Sequence, residues 1–110
     1  CWMITTDDQL TLRYGRKENG GFANCIPALR QYLDYPHIAS LACPHPSLFI
    51  SGTLDHLFPV PGVKKAFAQM HAVWNSQHAD SLLTTELWDV PHSCGLRIQQ
   101  KILQFLDQNL

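Results

Sequence analysis

The stretch PSLFISGTLDHLFP, Pro46 to Pro59, decides how the rest of the chain is read. Leu48-Phe49-Ile50 is a near-continuous apolar run, the pattern of a strand buried on both faces in a parallel sheet. It predicts a strand over Ser47–Gly52. The chain leaves that strand through Gly52-Thr53, presents Asp55 and His56, and returns at once to Leu57-Phe58-Pro59. A solvent turn has no need of the second apolar group. A carboxylate held at a strand tip among apolar neighbours is the setting of an orienting group in an active site. Asp is also common in turns, where it satisfies local backbone N–H groups, so the functional reading of Asp55 requires a partner elsewhere.

Downstream, Pro61 sits where a first helical turn tolerates proline. Val63, Ala66, Phe67, Met70, Val73 and Trp74 follow at helical spacing, predicting a helix of about 61–77 with Lys64, Lys65 and Gln69 on its wet face. The polar SQHADS loop leads to a second strand, Leu82 to Val90, which ends at Pro91-His92-Ser93-Cys94-Gly95. A last helix turns Ile98, Ile102, Phe105 and Leu106 inward and Gln99, Gln100, Lys101 and Gln104 outward. Upstream, Ile26, Leu29, Tyr32 and Leu33 predict a helix near 26–35, interrupted at Tyr35-Pro36, with further turns over Ile38–Ala42. Cys43-Pro44-His45-Pro46 is extended, because two prolines remove donors and exclude helix. Residues 1–25 form an irregular segment broken by ENGG at Glu18–Gly21, so the chain is one partial domain ordered helix, strand, helix, strand, helix over 26–110.

A strand–helix–strand unit of this length implies parallel neighbours joined by a right-handed crossover. Ligands of open α/β sheets bind at the carboxyl ends of the strands. Asp55 follows one such end and His92 the other, and adjacent strands are about 4.8 Å apart. The two side chains therefore share one rim. A carboxylate that accepts from one imidazole nitrogen fixes the tautomer and frees the other nitrogen to take a proton from a nucleophile. His92 is the partner Asp55 requires.

Composition narrows the alternatives. An apolar fraction of 45% in 110 residues suits a globular core. Net charge is -1 and the cations are scattered, which leaves no electrostatic footprint for nucleic acid or an anionic membrane surface. No apolar run approaches a membrane span. Cys1, Cys25, Cys43 and Cys94 are widely spaced without a C-x-x-C pair, as expected of free thiols in a reducing, cytoplasmic setting. The opening Cys1-Trp2-Met3-Ile4-Thr5-Thr6 reads as a cut within a longer protein.

Three pieces together resemble a known family: YLDYPHIASLACPHPSLFISGTLDHLFP, GVKKAFAQMHAVW and LWDVPHSCGLRIQQKILQFLDQNL. From about Tyr32 to Leu110 they resemble the C-terminal third of an α/β-hydrolase, close to its dienelactone-hydrolase-like and acetyl-xylan-esterase-like bacterial members. CWMITT is similar to the segment just past the strand that follows the nucleophile helix. In that family a Pro-led strand ending Gly-x-x-Asp carries the triad acid, matching Asp55, and the loop after the last strand carries the triad histidine, matching His92. The order acid then histidine agrees with the family. The resemblance implies serine-dependent hydrolysis of a small-molecule acyl or acetyl ester, without metal or organic cofactor. His92 would be general base and then acid, and Asp55 its orienter. The departure is the nucleophile: no G-x-S-x-G exists, and Ser40, Ser47, Ser51, Ser76, Ser81 and Ser93 all lack the flanking pair of glycines. The serine is thus expected upstream of these residues, and the 110-residue chain alone is expected to be inactive.

Other readings stand beside this one. Peptidase, thioesterase and lactonase chemistry use the same triad, and a non-catalytic binding domain could keep the hydrolase shape. His92 could cap the last helix, with Ser93 and Cys94 as cap and packing residues, and Cys94 is the one thiol near the base. His56 reads as a rim residue, and His37, His71 and His78 as surface or half-buried. Cys43-x-His45 with His92-x-Cys94 offers a zinc-like ligand set, but parallel strands would hold the two halves a strand length apart, roughly 15–20 Å. The unpaired strand edge and helix faces predict self-association or union with the rest of the polypeptide.

Overall fold

The computed structural model describes residues 28–110. The readings for residues 1–25, for Ile26 and for CWMITT lie outside the described residues. Two parallel strands, β1 (Ser47–Gly52) and β2 (Leu83–Trp88), pair in register from Ser47 opposite Leu83 to Gly52 opposite Trp88. Helices flank them, which makes the described part an α/β arrangement. β1 occupies the residues its apolar run predicts. β2 is shorter than Leu82 to Val90, because Leu82 closes a 3-10 turn (Asp80–Leu82) and the chain bends away after Trp88.

The crossover is α2 (Val60–Ser76), which follows the short α1 (Tyr35–Ala39) in the chain. Its stripe Val63, Ala66, Phe67, Met70 and Trp74 is buried, with four of these at 0% exposure, and it packs with Phe58 and Leu83 into the core. Each large side chain removed from water in this way contributes about 1.5–3 kcal/mol before ordering costs. Phe49 and Leu87 lie against this cluster, so one face of the β1–β2 pair belongs to α2. His71 ties the same layers together. Its Nδ1 lies 2.7 Å from Asp80 Oδ1 and its Nε2 lies 3.0 Å from Thr85 Oγ1, linking mid-α2 to the turn and to β2.

The helix expected near 26–35 is corrected. Within the described residues that region holds only a 3-10 turn, Leu29–Gln31, and Tyr32 and Leu33 are exposed. Pro36 does not interrupt a helix; it stands in the first turn of α1. Asp34 is the N-cap: its carboxylate accepts from the Tyr35 N–H at 2.8 Å, while the His37 ring accepts from the Asp34 N–H at 2.9 Å. Proline is tolerated there because the first turn has no intrahelical acceptor for its N–H.

The last helix, α3 (Leu96–Asn109), covers the other sheet face, but incompletely. Ile98 is buried as expected. Ile102 and Leu106 are 37% and 39% exposed, because the two described strands do not cover the whole apolar stripe. For the same reason the first half of β1 is only half-buried, against the expectation of burial on both faces. Polar contacts help seat α3. Lys101 Nζ lies 2.9 Å from Glu86 Oε1, Trp88 Nε1 donates to Glu86 Oε2 at 2.6 Å, and the Arg97 guanidinium stands 5.4 Å from the Trp88 ring centroid.

Burial pushes the Glu86 carboxyl up, but the hydrogen bonds from Lys101 and Trp88 and the charge of Lys101 outweigh it, so the group is held below its ordinary value. A carboxyl lowered in the folded state contributes stability above its unfolded pKa, and loses it as pH falls through the folded one. Glu86→Gln is therefore expected to cost about 0.5–1 kcal/mol at neutral pH. The difference from the parent should shrink as the solution is acidified below the ordinary carboxylate range, as read by urea unfolding at both pH values.

Candidate active site

The site lies where β1 and β2 end. Thr53 N–H donates to Trp88 O at 2.7 Å and Leu54 N–H to Val90 O at 3.2 Å, so the two exits are laced together beyond the sheet. Thr53 Oγ1 donates to Asp89 Oδ1 at 3.0 Å and adds a side-chain tie. This close passage needs the buried Gly52. A Cβ at that position would overlap the carbonyl oxygen of Val90 and meet that of Pro91 at 3.0 Å.

The lacing brings Asp55 to His92. Asp55 Oδ2 lies 2.8 Å from His92 Nδ1, with the carboxylate side chain 2% exposed and the imidazole 50% exposed. The other oxygen, Oδ1, accepts from the N–H of Leu57 at 2.8 Å and of Phe58 at 3.3 Å. Asp55 is therefore both a turn carboxylate and a histidine partner, one role on each oxygen. The backbone donors fix the carboxylate plane, and Phe58, itself buried, stacks obliquely on the imidazole with ring centroids 5.5 Å apart. An ionised carboxylate can only accept, so in the neutral ring this contact places the hydrogen on Nδ1. His92 Nε2 has no hydrogen-bond partner among the described residues.

A pocket of about 360 Å³ opens beside the pair, lined in part by Asp55, His92, Ser93, Cys94 and Ile98. Cys94 is exposed on it, not packed, and Ser93 Oγ donates back to Pro91 O at 3.4 Å. Both depart from the reading of these two as packing and cap residues. The N-cap of α3 is Gly95, with no side-chain cap bond, so His92 does not cap that helix either. Gly95 is extended and carries no side chain, and the Ser93 hydroxyl turns back to Pro91 O instead. His56 is exposed beside Asp55, a rim position.

Cys43 and His45 lie before β1 begins, and His92 and Cys94 beyond the end of β2, so a strand length separates the zinc-like halves. Among the described residues, no three His, Cys, Asp or Glu side chains are grouped so as to hold a metal ion. No described helix is long and apolar enough to cross a membrane.

One network escaped sequence reasoning. The His71 contacts to Asp80 and Thr85 repeat the carboxylate–imidazole–hydroxyl order of a triad. Thr85, however, lies mid-strand opposite Phe49 and away from the strand exits, so the network is read as a structural tie. The Ser51 hydroxyl is buried without a hydrogen-bond partner among the described residues. It lies on the same strand face as Phe49, opposite to Leu48 and Ile50. No family model, curated protein or solved structure matches this chain.

Proposed function

We propose that these residues are the acid- and histidine-bearing part of an α/β-hydrolase that cleaves carboxylic esters, with the reactive serine supplied by a segment outside the 110 residues. The observation that carries the proposal is the 2.8 Å contact between a buried carboxylate and a half-exposed imidazole at adjacent parallel strand ends. In this reading Asp55 holds His92 as the Nδ1–H tautomer, and Nε2 takes the serine proton as the serine oxygen attacks the ester carbonyl. The imidazolium formed is stabilised by Asp55. It returns the proton to the departing alkoxide as the C–O bond breaks, leaving an acyl-serine and a free alcohol. Water then attacks the acyl carbonyl with Nε2 again as base, and the serine leaves reprotonated with release of the acid.

The reading gives a use to the burial of Asp55 and to the exposure of His92. Burial of Asp55 keeps its charge from being screened by water, and exposure of the His92 ring lets an external hydroxyl approach. The polypeptide carrying these residues with its serine should react with a fluorophosphonate reagent at that serine, and His92→Ala should abolish labelling. The 110 residues alone should show no His92-dependent turnover of an activated ester. Turnover lost in both His92→Ala and Cys94→Ser would instead assign the nucleophile to Cys94, which lines the same pocket.

A further inference from the structure

Three imidazoles among the described residues are tied by hydrogen bonds, and one of them is held the opposite way round. His71 and His92 each face a carboxylate through Nδ1. His37 Nδ1 instead faces the backbone N–H of Asp34 at 2.9 Å. A backbone N–H only donates, so here Nδ1 accepts, and the neutral ring carries its hydrogen on Nε2. We infer that the start of α1 is an acid-sensitive latch: a neutral His37 closes the capping box, and a protonated one opens it.

The box has two halves. The Asp34 carboxylate accepts from the N–H groups of Tyr35 and His37, and the His37 ring answers the Asp34 N–H. The place His37 fills is ordinarily held by Glu or Gln, whose side-chain oxygen accepts at neutral pH. An imidazolium bears hydrogen on both nitrogens and has no acceptor left, and histidine gains that second hydrogen between about pH 8 and pH 5. The residue is exposed, so the proton arrives from solvent without any opening of the fold. The Asp34 carboxylate would attract the imidazolium, but a ring turned toward it still leaves the Asp34 N–H without its acceptor. Among the described residues α1 packs on α2, which carries Lys64, Lys65 and His71, and on the turn Ser40–Ala42, which carries no ionisable group. His71 is occupied by Asp80 and Thr85. The latch holds the entry to α1, behind which Pro36 is buried and Tyr35 and Ala39 lie against the core.

The test is NMR of the 110-residue chain, following amide exchange and the histidine ring nitrogens. At the alkaline end His37 should carry its hydrogen on Nε2. Between about pH 8 and pH 5 the Asp34 N–H, corrected for its intrinsic exchange rate, should lose protection about fivefold. That is the factor given by one hydrogen bond worth about 1 kcal/mol. The amides of Val63 to Trp74 should keep theirs. His37→Gln retains an acceptor at both ends of the range and should hold the Asp34 protection in acid. His37→Ala should show the low value throughout, with circular dichroism checking that both variants are folded. A neutral His37 with its hydrogen on Nδ1, an Asp34 N–H indifferent to pH, or an equal loss in His37→Gln would overturn the inference. A loss shared by the α2 amides would mark unfolding of the whole chain, and would overturn it as well.

Discussion

Asp55→Asn is expected to lower kcat for the proposed ester hydrolysis by about ten-thousand-fold in a polypeptide that carries the proposed serine, with KM little changed. The size follows from which oxygen does what. Leu57 and Phe58 donate two N–H bonds to Oδ1, so the amide of the variant settles with its carbonyl oxygen there. Its NH₂ then occupies the Oδ2 position, 2.8 Å from His92 Nδ1 in the parent, and donates where the carboxylate accepted. The imidazole must answer with a bare Nδ1 and carry its hydrogen on Nε2. A ring in that tautomer cannot take the serine proton. Because both backbone bonds survive, stability should change little, which separates loss of the base from loss of the fold. His92→Ala should cost a similar factor. A kcat reduced less than tenfold by either change would remove the pair from the chemistry.

Gly52→Val is expected to destabilise the chain by about 3 kcal/mol, the largest stability effect anticipated for a single substitution at the strand exits. The backbone of β1 passes so close to Val90 and Pro91 that no side chain fits between them. The obstacle is backbone carbonyl, so a rotamer change cannot relieve it. Room could come only from parting the two exits, which would strain the Thr53–Trp88 and Leu54–Val90 hydrogen bonds. Those bonds also set the separation of Asp55 and His92, so the variant should lose that contact along with stability. Gly52→Ala should show the same effect to a smaller degree in urea unfolding. A Gly52→Ala chain as stable as the parent would show that the exits are not locked by this approach.

The parts legible in the sequence are those with local punctuation. Pro46 and Gly52 bracket β1, the Val63-to-Trp74 stripe marks α2, and the strand exits are legible to within two residues, since β2, expected to end at Val90, ends at Trp88. Asp55 and His92 followed from those exits, because parallel topology alone puts them on one rim. Near 26–35 the apolar spacing runs into Tyr32 and Leu33, which are exposed, whereas the stronger local signal is the Asp34-Tyr35-Pro36 helix start. The exposure of Ile102 and Leu106 depends on how many strands lie beneath α3, which periodicity does not encode. The His71 network joins residues nine and fourteen positions away through the turn and β2, and needs the packed register to be seen. The dual use of Asp55 could not be divided between its oxygens until the turn geometry was known.

A His92 held by the Asp55 carboxylate carries its proton on Nδ1 and leaves Nε2 bare. Nitrogen NMR of the 110-residue chain with isotope-labelled histidine reads this directly, since the two ring nitrogens of a neutral imidazole differ according to which bears hydrogen. The expected result is a protonated Nδ1 and a bare Nε2 for His92, and the reverse in Asp55→Asn. A parent His92 with its hydrogen on Nε2, or a tautomer unmoved by Asp55→Asn, would contradict it.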